Sequence, residues 1–125
     1  MRQFTIIVEN RVGALADVCE LLGRSGVNIK GISAQGQGDA GVIRLITEDE
    51  ATTRKILQQG GFNVVEGDVL VVKMLDKPGE LGKVARKLAK ENINIECVYL
   101  LERKGNEVEL VIKPDNIKKA MKVLG

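Results

Sequence analysis

The sequence predicts an α+β fold made of two tandem βαββαβ units, the second of which lacks its last strand. One observation is a repeat: the stretch at residues 10–15 (NRVGAL) returns at residues 76–81 (DKPGEL), 66 positions further along. Further matches keep this offset with no gap, among them Asp49 with Asp115. The other observation is hydrophobic periodicity, which changes between the period of strands and that of helices along each copy. A fixed offset over such a length is typical of a duplicated module.

The repeat also determines the expected domain organisation. A chain of 125 residues would by length alone be one domain, but the duplication divides it in two. We therefore expect one domain at residues 1–67 and a second at residues 68–125. Units of this size are marginal alone and gain stability when they bury a face against a neighbour.

The first copy shows both periodicities clearly. Leu15, Val18, Cys19 and Leu22 recur at the spacing of one helix face. Gly23 and Gly26 follow this stripe and indicate the end of the helix. The strands are predicted at residues 4–9, 27–37, 42–47 and 62–66, with a turn at 38–41 and a second helix reaching about residue 59.

The second copy repeats the first but stops early. Its helix stripe is Leu81, Val84, Ala85 and Leu88, and alternating apolar residues at 93–101 predict the strand that follows. The other strands are predicted at residues 69–75 and 108–112, with a turn at 104–106 and a last helix after residue 115. The counterpart of the strand at 62–66 would fall beyond the last residue. We therefore expect an open sheet edge beside residues 69–75.

Several polar residues are placed to cap the predicted helices. Thr47 with Glu50 three residues later fits a capping box, and Asp115 can cap the last helix. Asn10 and Asp76 follow the first strand of each copy and can cap the next helix in the same way.

Composition argues against several classes of function. Hydrophobic residues make up 44% and charged residues 29%, as in an ordinary soluble globular protein. The net charge is only +2 and aromatic residues are 2%, so the stacking platforms of a nucleic-acid-binding sheet are missing. No apolar run approaches the roughly 20 residues of a membrane span. The N-terminus does not resemble a signal peptide, so we expect a cytoplasmic protein with neither nucleic-acid nor membrane partners.

The chemistry of an enzyme or metal site is equally hard to assemble. The chain has no histidine, which removes the commonest general base and metal ligand. Cys19 and Cys97 lie in amphipathic patterns and are expected to be small buried residues. Residues 36–41 spell GxGxxG, but a β-rich segment follows them, so they are expected to form a hairpin turn and not a dinucleotide loop. We expect no catalytic residues, no metal and no cofactor.

With these elements in place, the chain resembles a tandem pair of ACT domains, small ligand-binding modules of amino-acid metabolism. The similarity lies in the loops at residues 9–15 and 76–81, which resemble the family's Asn/Asp-x-Pro-Gly-x-Leu loop. It continues in Gly26-Val27-Asn28-Ile29 and in the segment at residues 92–95, which resemble Gly-x-Asn-Ile. The resemblance implies a ferredoxin-like fold, side-by-side pairing of domains, and a free amino acid bound at their seam.

The resemblance also implies which residues contact the ligand. Val12 stands where the family has proline, and Val8 and Met74 stand where serine-sensing members have a polar ligand. The absence of a polar ligand at Val8 and Met74 argues against serine and favours a small apolar amino acid, whereas Val12 weakens the preorganisation of the loop in the first copy. The implied ligand-binding residues are Asn10, Arg11, Val12, Gly13, Ala14, Leu15, Asn28 and Ile29 in the first copy, and Asp76, Pro78, Gly79, Glu80, Leu81, Asn94 and Ile95 in the second.

The residue types suit this ligand. Unpaired N–H groups at a helix N-terminus favour a carboxylate, and glycine at position 13 lets a ligand approach the backbone. The helix at about residues 12–25 is roughly 20 Å long, so Asn10 and Asn28 lie at its opposite ends. One site cannot use both from the same unit, and we expect Asn10 to act with Asn94, or with Asn28 of a second chain. The alternative is that these residues only cap helices and form turns.

We therefore interpret the chain as a non-catalytic, amino-acid-binding regulatory protein that works as a homodimer. A ligand bound between paired units would stabilise one arrangement and change contact with a partner enzyme of amino-acid metabolism. One alternative is a protein similar to the regulatory subunit of acetolactate synthase, which senses a branched-chain amino acid. Another is a pairing module that binds no ligand.

Overall fold

A computed structural model describes residues 1–125 and confirms the α+β fold. By internal contacts the chain divides into two compact units, one of Arg2–Gly67 and the other of Asp68–Gly125 together with Met1. The first unit contains β1 (Arg2–Glu9), α1 (Ala14–Arg24), β2 (Ile29–Gln37), β3 (Ala40–Thr47), α2 (Glu50–Gln59) and β4 (Asn63–Asp68). The second contains β5 (Leu70–Leu75), α3 (Glu80–Lys90), β6 (Ile95–Lys104), β7 (Glu107–Pro114) and α4 (Ile117–Leu124).

The first unit is a four-stranded sheet with strand order β2-β3-β1-β4 and both helices on one face. Phe4 lies opposite Leu45, and Ile6 lies opposite Ile43, so β1 and β3 present one continuous apolar surface. Val18 of α1 and Leu57 of α2 pack on that surface and, like Phe4 and Leu45, are fully buried. Burial of each such side chain contributes about 1.5–3 kcal/mol.

The second unit has three strands in the order β5-β7-β6, so the predicted absence of a closing strand is confirmed. Leu70 lies opposite Ile112 and faces the helices, where Leu88 and Ala120 are fully buried. β5 is an edge strand, in the position where β1 of the first unit pairs with β4. The open edge expected beside residues 69–75 is therefore confirmed.

The hairpins of the two units differ in length by one residue. Both pair in corresponding register up to Leu100, beyond which β6 has one residue more than β2. The register shifts between Leu100 and Glu102, as in a β-bulge, which takes up an extra residue without disturbing the rest of the ladder. Asp49 consequently corresponds to Asn116 and not to Asp115. The ungapped offset is wrong beyond this point.

The second helix begins two residues later than the capping box predicted. Its N-cap is Asp49, whose carboxylate accepts hydrogen bonds from the Thr52 amide at 3.0 Å and the Thr52 hydroxyl at 2.6 Å. These bonds lower the pKa of Asp49. Thr47 is buried at the end of β3, where its hydroxyl is hydrogen-bonded to that of Thr53 at 2.7 Å. Tertiary burial thus removes Thr47 from the cap, and its assignment was wrong.

The last helix is capped by Asn116, whose side-chain oxygen accepts from the Lys119 amide at 3.0 Å. Asp115, which the sequence favoured, accepts instead from the Asn94 amide at 3.1 Å. The predicted cap was therefore wrong by one residue. Two adjacent side chains could each cap a helix, and only the path of the chain decides which one reaches the first turn.

Three other features of the chain can be compared with the predictions. Residues 36–41 form the end of the β2–β3 hairpin, with Gly38 and Asp39 at the turn, which confirms the hairpin interpretation. Cys19 and Cys97 are half-buried instead of fully buried. Burial raises the pKa of the Cys19 thiol. None of the helices is long and apolar enough to cross a membrane.

An ion pair joins α2 to β4 in the first unit. Arg54 donates from Nε and one terminal nitrogen to the two carboxylate oxygens of Glu66, at 2.6 and 2.7 Å. Arg2 lies 3.5 Å from the same carboxylate, and the Arg54 guanidinium lies 6.0 Å from the centre of the Phe4 ring. The hydrogen bonds from Arg54, more than the nearby charges, lower the pKa of Glu66. This is the bidentate geometry in which a surface pair is strongest.

We predict that stability falls in acid partly through Glu66. Its pKa is lower in the folded than in the unfolded protein, so its contribution is complete above the ordinary carboxylate value and is lost as the pH falls through the lowered one. The contribution of Glu66 is measured by comparing the free energies of unfolding in urea of the wild type and Glu66→Gln, at neutral pH and at about pH 3. Glu66→Gln should reduce stability at neutral pH and narrow the difference between the two conditions. An unchanged difference would contradict the prediction.

We predict opposite effects for two glycine substitutions at the end of α1. Gly26 has φ +74 and Gly23 does not have positive φ, while an added Cβ meets no atom within 4 Å at either position. Gly26→Ala should therefore destabilise by about 1–2 kcal/mol through backbone strain alone. Gly23→Ala, its matched control inside the helix, should stabilise by roughly 0.5–1 kcal/mol. Urea unfolding checks both, and effects of equal sign would exclude a backbone origin.

In the second unit, Asn92 occupies the position of Gly26 and also has a left-handed backbone, with φ 56. Asparagine tolerates the left-handed region better than other non-glycine residues. Asn92→Ala should therefore destabilise less than Gly26→Ala, and Asn92→Gly should not destabilise.

Candidate functional site

A cleft lies in the first unit where α1 begins. It has a volume of about 160 Å³ and is bounded by the loop after β1 and by the facing parts of β2 and β3. Four predicted ligand residues, Asn10, Arg11, Ala14 and Leu15, line it. The remaining lining residues are Val8, Glu9, Ala34, Gln35, Gly36, Gly41, Val42 and Ile43.

Gly13 determines how α1 begins beside this cleft. It is the N-cap residue, with φ 89 and ψ −7, and no side chain caps the first turn. Its carbonyl accepts the first helical hydrogen bond, from the Asp17 amide at 2.9 Å. The interpretation of Asn10 as a helix cap is therefore wrong. The Ala14 amide donates to the Arg11 carbonyl at 3.3 Å, so the first-turn amides that remain available to an anion are those of Leu15 and Ala16.

Asn10 is fixed to the hairpin and not to the helix. Its backbone amide donates to the Asp39 carbonyl at 2.9 Å, and its side-chain Nδ2 donates to the Gly38 carbonyl at 2.8 Å. The side chain lies across Gly36, where an added Cβ would be 2.5 Å from Oδ1. The amide is thus oriented by one hydrogen bond, and Oδ1 is left as an acceptor with no protein donor.

Arg11 supplies a positive charge to the cleft. One terminal nitrogen of its guanidinium lies 2.6 Å from Asp17, and the other donates to the Val12 carbonyl at 3.0 Å. The Asp17 hydrogen bond raises the pKa of Arg11. Arg11 therefore stays cationic at any pH relevant to the protein and is held across the start of the helix.

Two glycines of the GxGxxG stretch make room for the cleft. Gly36 and Gly41 lie opposite each other in the β2–β3 hairpin. Asn10 packs over Gly36, and an added Cβ at Gly41 would be 3.0 Å from a methyl carbon of Val8. Sequence reasoning noted these glycines but did not assign them to the site. The pairing of Gly36 with Gly41 across the β2–β3 hairpin is the signal that would have placed both glycines at the site.

The rest of the predicted ligand set of the first unit does not line the cleft. Val12 is 99% exposed at the tip of the loop. Asn28 is exposed beyond the other end of α1, where its carbonyl accepts from the Glu48 amide at 3.3 Å. Ile29 packs against the apolar core. Gly13 does not line the cleft either. Of the predicted set, the structure therefore brings together Asn10, Arg11, Ala14 and Leu15, but not Val12, Gly13, Asn28 or Ile29.

The second unit has a corresponding cleft of about 230 Å³. Asp76, Glu80 and Leu81 of the predicted set line it, whereas Pro78, Gly79, Asn94 and Ile95 do not. Gly79 is again a left-handed N-cap, with φ 90 and no side-chain cap, so the cap interpretation of Asp76 is wrong as well. The other lining residues are Met74, Leu75, Lys77, Leu100, Arg103, Val108 and Leu110.

Charged groups of the second cleft are paired with one another. Arg103 donates from Nε to the Asp76 carboxylate at 2.7 Å. The Glu80 carboxylate lies 3.5 Å from the ammonium groups of both Lys77 and Lys83. No group of three or more His, Cys, Asp or Glu side chains in the chain could hold a metal ion.

The family model described as an ACT domain pair matches residues 1–124. This chain is an ACT domain pair. The two clefts at the starts of α1 and α3 are therefore bordered by corresponding loops of two ACT domains in tandem. No characterised protein gives a significant sequence match.

Solved structures agree with this assignment. Protein BT0572 from Bacteroides thetaiotaomicron is 32% identical, with a TM-score of 0.89, over 98% of this chain and 85% of that one. The ligand-free regulatory subunit of aspartate kinase from Thermus thermophilus is 15% identical, with a TM-score of 0.72, over 98% and 89%. The corresponding subunit from Thermus flavus is 17% identical, with a TM-score of 0.67, over 98% and 87%. The two Thermus proteins share the fold of this ACT domain pair.

We predict that Gly36→Ala displaces the Asn10 side chain in the first ACT domain. The new Cβ would lie 2.5–2.9 Å from the atoms of the Asn10 amide, so the hydrogen bond to Gly38 must break. Loss of one such bond costs about 0.5–1.5 kcal/mol. In urea unfolding, Asn10→Ala combined with Gly36→Ala should cost less than the sum of the two single changes. Strict additivity would show that Asn10 does not lie over Gly36.

Proposed function

We propose that this ACT domain pair is a non-catalytic regulatory protein that binds a free amino acid at the cleft of its first domain. The observation that supports this most directly is the arrangement around Asn10. An oriented amide with a vacant acceptor, a fixed guanidinium and an uncapped helix start all border one cleft of about 160 Å³. Together these groups complement the carboxylate and the ammonium group of a zwitterion.

Each end of the ligand has its own set of partners in this proposal. The ligand carboxylate lies at the first-turn amides of α1 and near Arg11, because both favour an anion. The ammonium group donates to Oδ1 of Asn10, with Glu9 on the same rim as a second negative partner. Each charge-assisted hydrogen bond contributes about 1.5–3 kcal/mol. Three or four, less the cost of binding, correspond to a Kd roughly in the micromolar to millimolar range.

The walls of the cleft favour a small apolar side chain on the ligand. Val8, Leu15, Val42 and Ile43 line it, and none of them offers a polar group. Its volume is about 160 Å³, comparable with an apolar cavity of about 150 Å³ that accepts benzene. A ligand side chain no larger than those of valine or leucine meets both conditions.

The functional unit in this proposal is a homodimer. Asn28 lies beyond the far end of α1, which spans 11 residues or about 16 Å, so it cannot reach a ligand held by Asn10 of its own domain. A second chain related by a two-fold axis can bring its Asn28 to that ligand. Ligand binding then favours one arrangement of the chains, and this changes the affinity for a partner.

The partner we propose is an enzyme of amino-acid metabolism. Membership of the ACT family supports a regulatory role, and two structural neighbours bear the name of aspartate kinase regulatory subunits. Co-purification with a large thiamine-dependent enzyme would instead favour the alternative of an acetolactate synthase regulator that senses a branched-chain amino acid. A chain that binds none of the amino acids would be a pairing module.

We predict that thermal-shift screening of the twenty amino acids raises the Tm for one or a few small apolar ones, with a rise that grows with concentration. Calorimetry should then show that Asn10→Ala weakens binding by at least about tenfold, since it removes one charge-assisted bond. Asn28→Ala should weaken binding to a similar degree and reduce the dimer fraction gained on addition of the ligand.

The matched control is Asn63→Ala, which removes an exposed asparagine from β4, outside the cleft. It should leave the Kd unchanged within twofold. Flat thermal-shift curves for all twenty amino acids would overturn the proposal. So would calorimetry in which the Asn10 and Asn63 variants bind equally well.

A further inference from the structure

The clefts of the two ACT domains differ in the residue that faces the ligand loop from the hairpin. Gly36 lies opposite Gly41 in the first hairpin, and Arg103 lies opposite Val108 at the same place in the second. The one-residue bulge after Leu100 produces this correspondence, which the ungapped sequence offset conceals. An arginine thus stands where the first domain requires a residue without a side chain.

The ligand loops differ at the matching position. Asn10 is neutral, lies across Gly36 and keeps Oδ1 as a vacant acceptor. Its counterpart Asp76 is a carboxylate whose Oδ2 accepts from Nε of Arg103 at 2.7 Å. The two domains therefore use the same loop and hairpin positions for different contacts.

The paired charges change what the second cleft can bind. A zwitterion needs vacant partners for its carboxylate and its ammonium group. The arginine of each cleft is ion-paired, Arg11 with Asp17 and Arg103 with Asp76. The clefts therefore differ in the acceptor for the ammonium group, because Oδ1 of Asn10 is vacant whereas the Asp76 carboxylate is already bound by Arg103. A zwitterion that enters the second cleft in the same pose brings its ammonium group to Asp76, so the bond from Arg103 must break first, and the displaced guanidinium then repels the ammonium group.

Volume does not account for the difference. The second cleft is the larger, at about 230 Å³ against about 160 Å³, so a small amino acid would fit inside it. Its walls are also apolar, with Met74, Leu81 and Leu100 among the lining residues. Any discrimination between the clefts must therefore come from their polar groups.

We infer that only the first domain binds a free amino acid, and that the Asp76–Arg103 ion pair prevents the second domain from doing so. This inference rests on the proposed function and makes it more specific. Each chain then holds one ligand, and the specificity between the two domains depends on residues 76 and 103. The second domain keeps the backbone conformation of the loop but binds no amino acid.

Calorimetry of the full chain, with the amino acid that gives the largest thermal shift, tests the stoichiometry. The wild type should bind one equivalent per chain. Asn10→Ala should lose at least tenfold in affinity with no second event remaining, whereas Asp76→Ala should leave the Kd of the single event unchanged within twofold.

A double variant tests the role of the ion pair directly. Asp76→Asn with Arg103→Gly gives the second domain the residues of the first at both positions and should add a second equivalent per chain. A matched double variant, Asp76→Asn with Arg103→Lys, keeps a side chain over the loop and should still bind one. Circular dichroism and urea unfolding establish whether both double variants fold. If one of them does not fold, the stoichiometry and affinity of the single variants Asn10→Ala and Asp76→Ala test the inference instead.

The outcomes separate this inference from the proposed function. Two equivalents in the wild type, with one retained in Asn10→Ala, would overturn the inference and leave amino-acid binding in place. One equivalent that is lost in Asp76→Ala and kept in Asn10→Ala would assign the ligand to the second domain and overturn the inference as well. No heat with any amino acid, together with flat thermal-shift curves, would overturn both proposals.

Discussion

Left-handed glycines at the starts of α1 and α3 are the constraint on which both clefts depend. Gly13 and Gly79 have φ values of 89 and 90, a region that only glycine adopts at little cost. Because each glycine occupies the N-cap position, no side chain satisfies the first-turn amides. The same turn directs residues 10 and 76 away from the helix and towards the hairpin. One backbone conformation thus provides both a helix start without a side-chain cap and a polar rim.

The duplicated domains diverge where the hairpin meets the loop. A single extra residue in β6 is absorbed by a bulge, and the pairing on either side of it is unchanged. The core tolerates this because the inward residues of β7, such as Ile112, still face the helices. At the rim, however, the same insertion places Arg103 opposite Asp76. A change that is nearly neutral for the fold therefore has a large effect on the chemistry of the cleft.

Much of the fold could be predicted because it depends on local patterns. The stripe of Leu15, Val18 and Leu22 specified α1, and the early end of the second copy specified a three-stranded sheet. Helix caps were less predictable. Thr47 and Asp115 had suitable side chains, but burial of one and the contact of the other with β6 left the caps to Asp49 and Asn116.

The sequence by itself determined that this chain is a tandem pair of ACT domains with a glycine at the start of the first helix of each, because repeat spacing, periodicity and turn glycines are local properties. Only the tertiary structure decided which residues line each cleft. Gly36, Gly41 and Arg103 come to the loops through strand pairing across a hairpin, and a bulge shifts the alignment of the copies by one residue. That register cannot be read from the order of residues alone, because the register is set by hydrogen bonding between strands and by the packing of one sheet face on the helices.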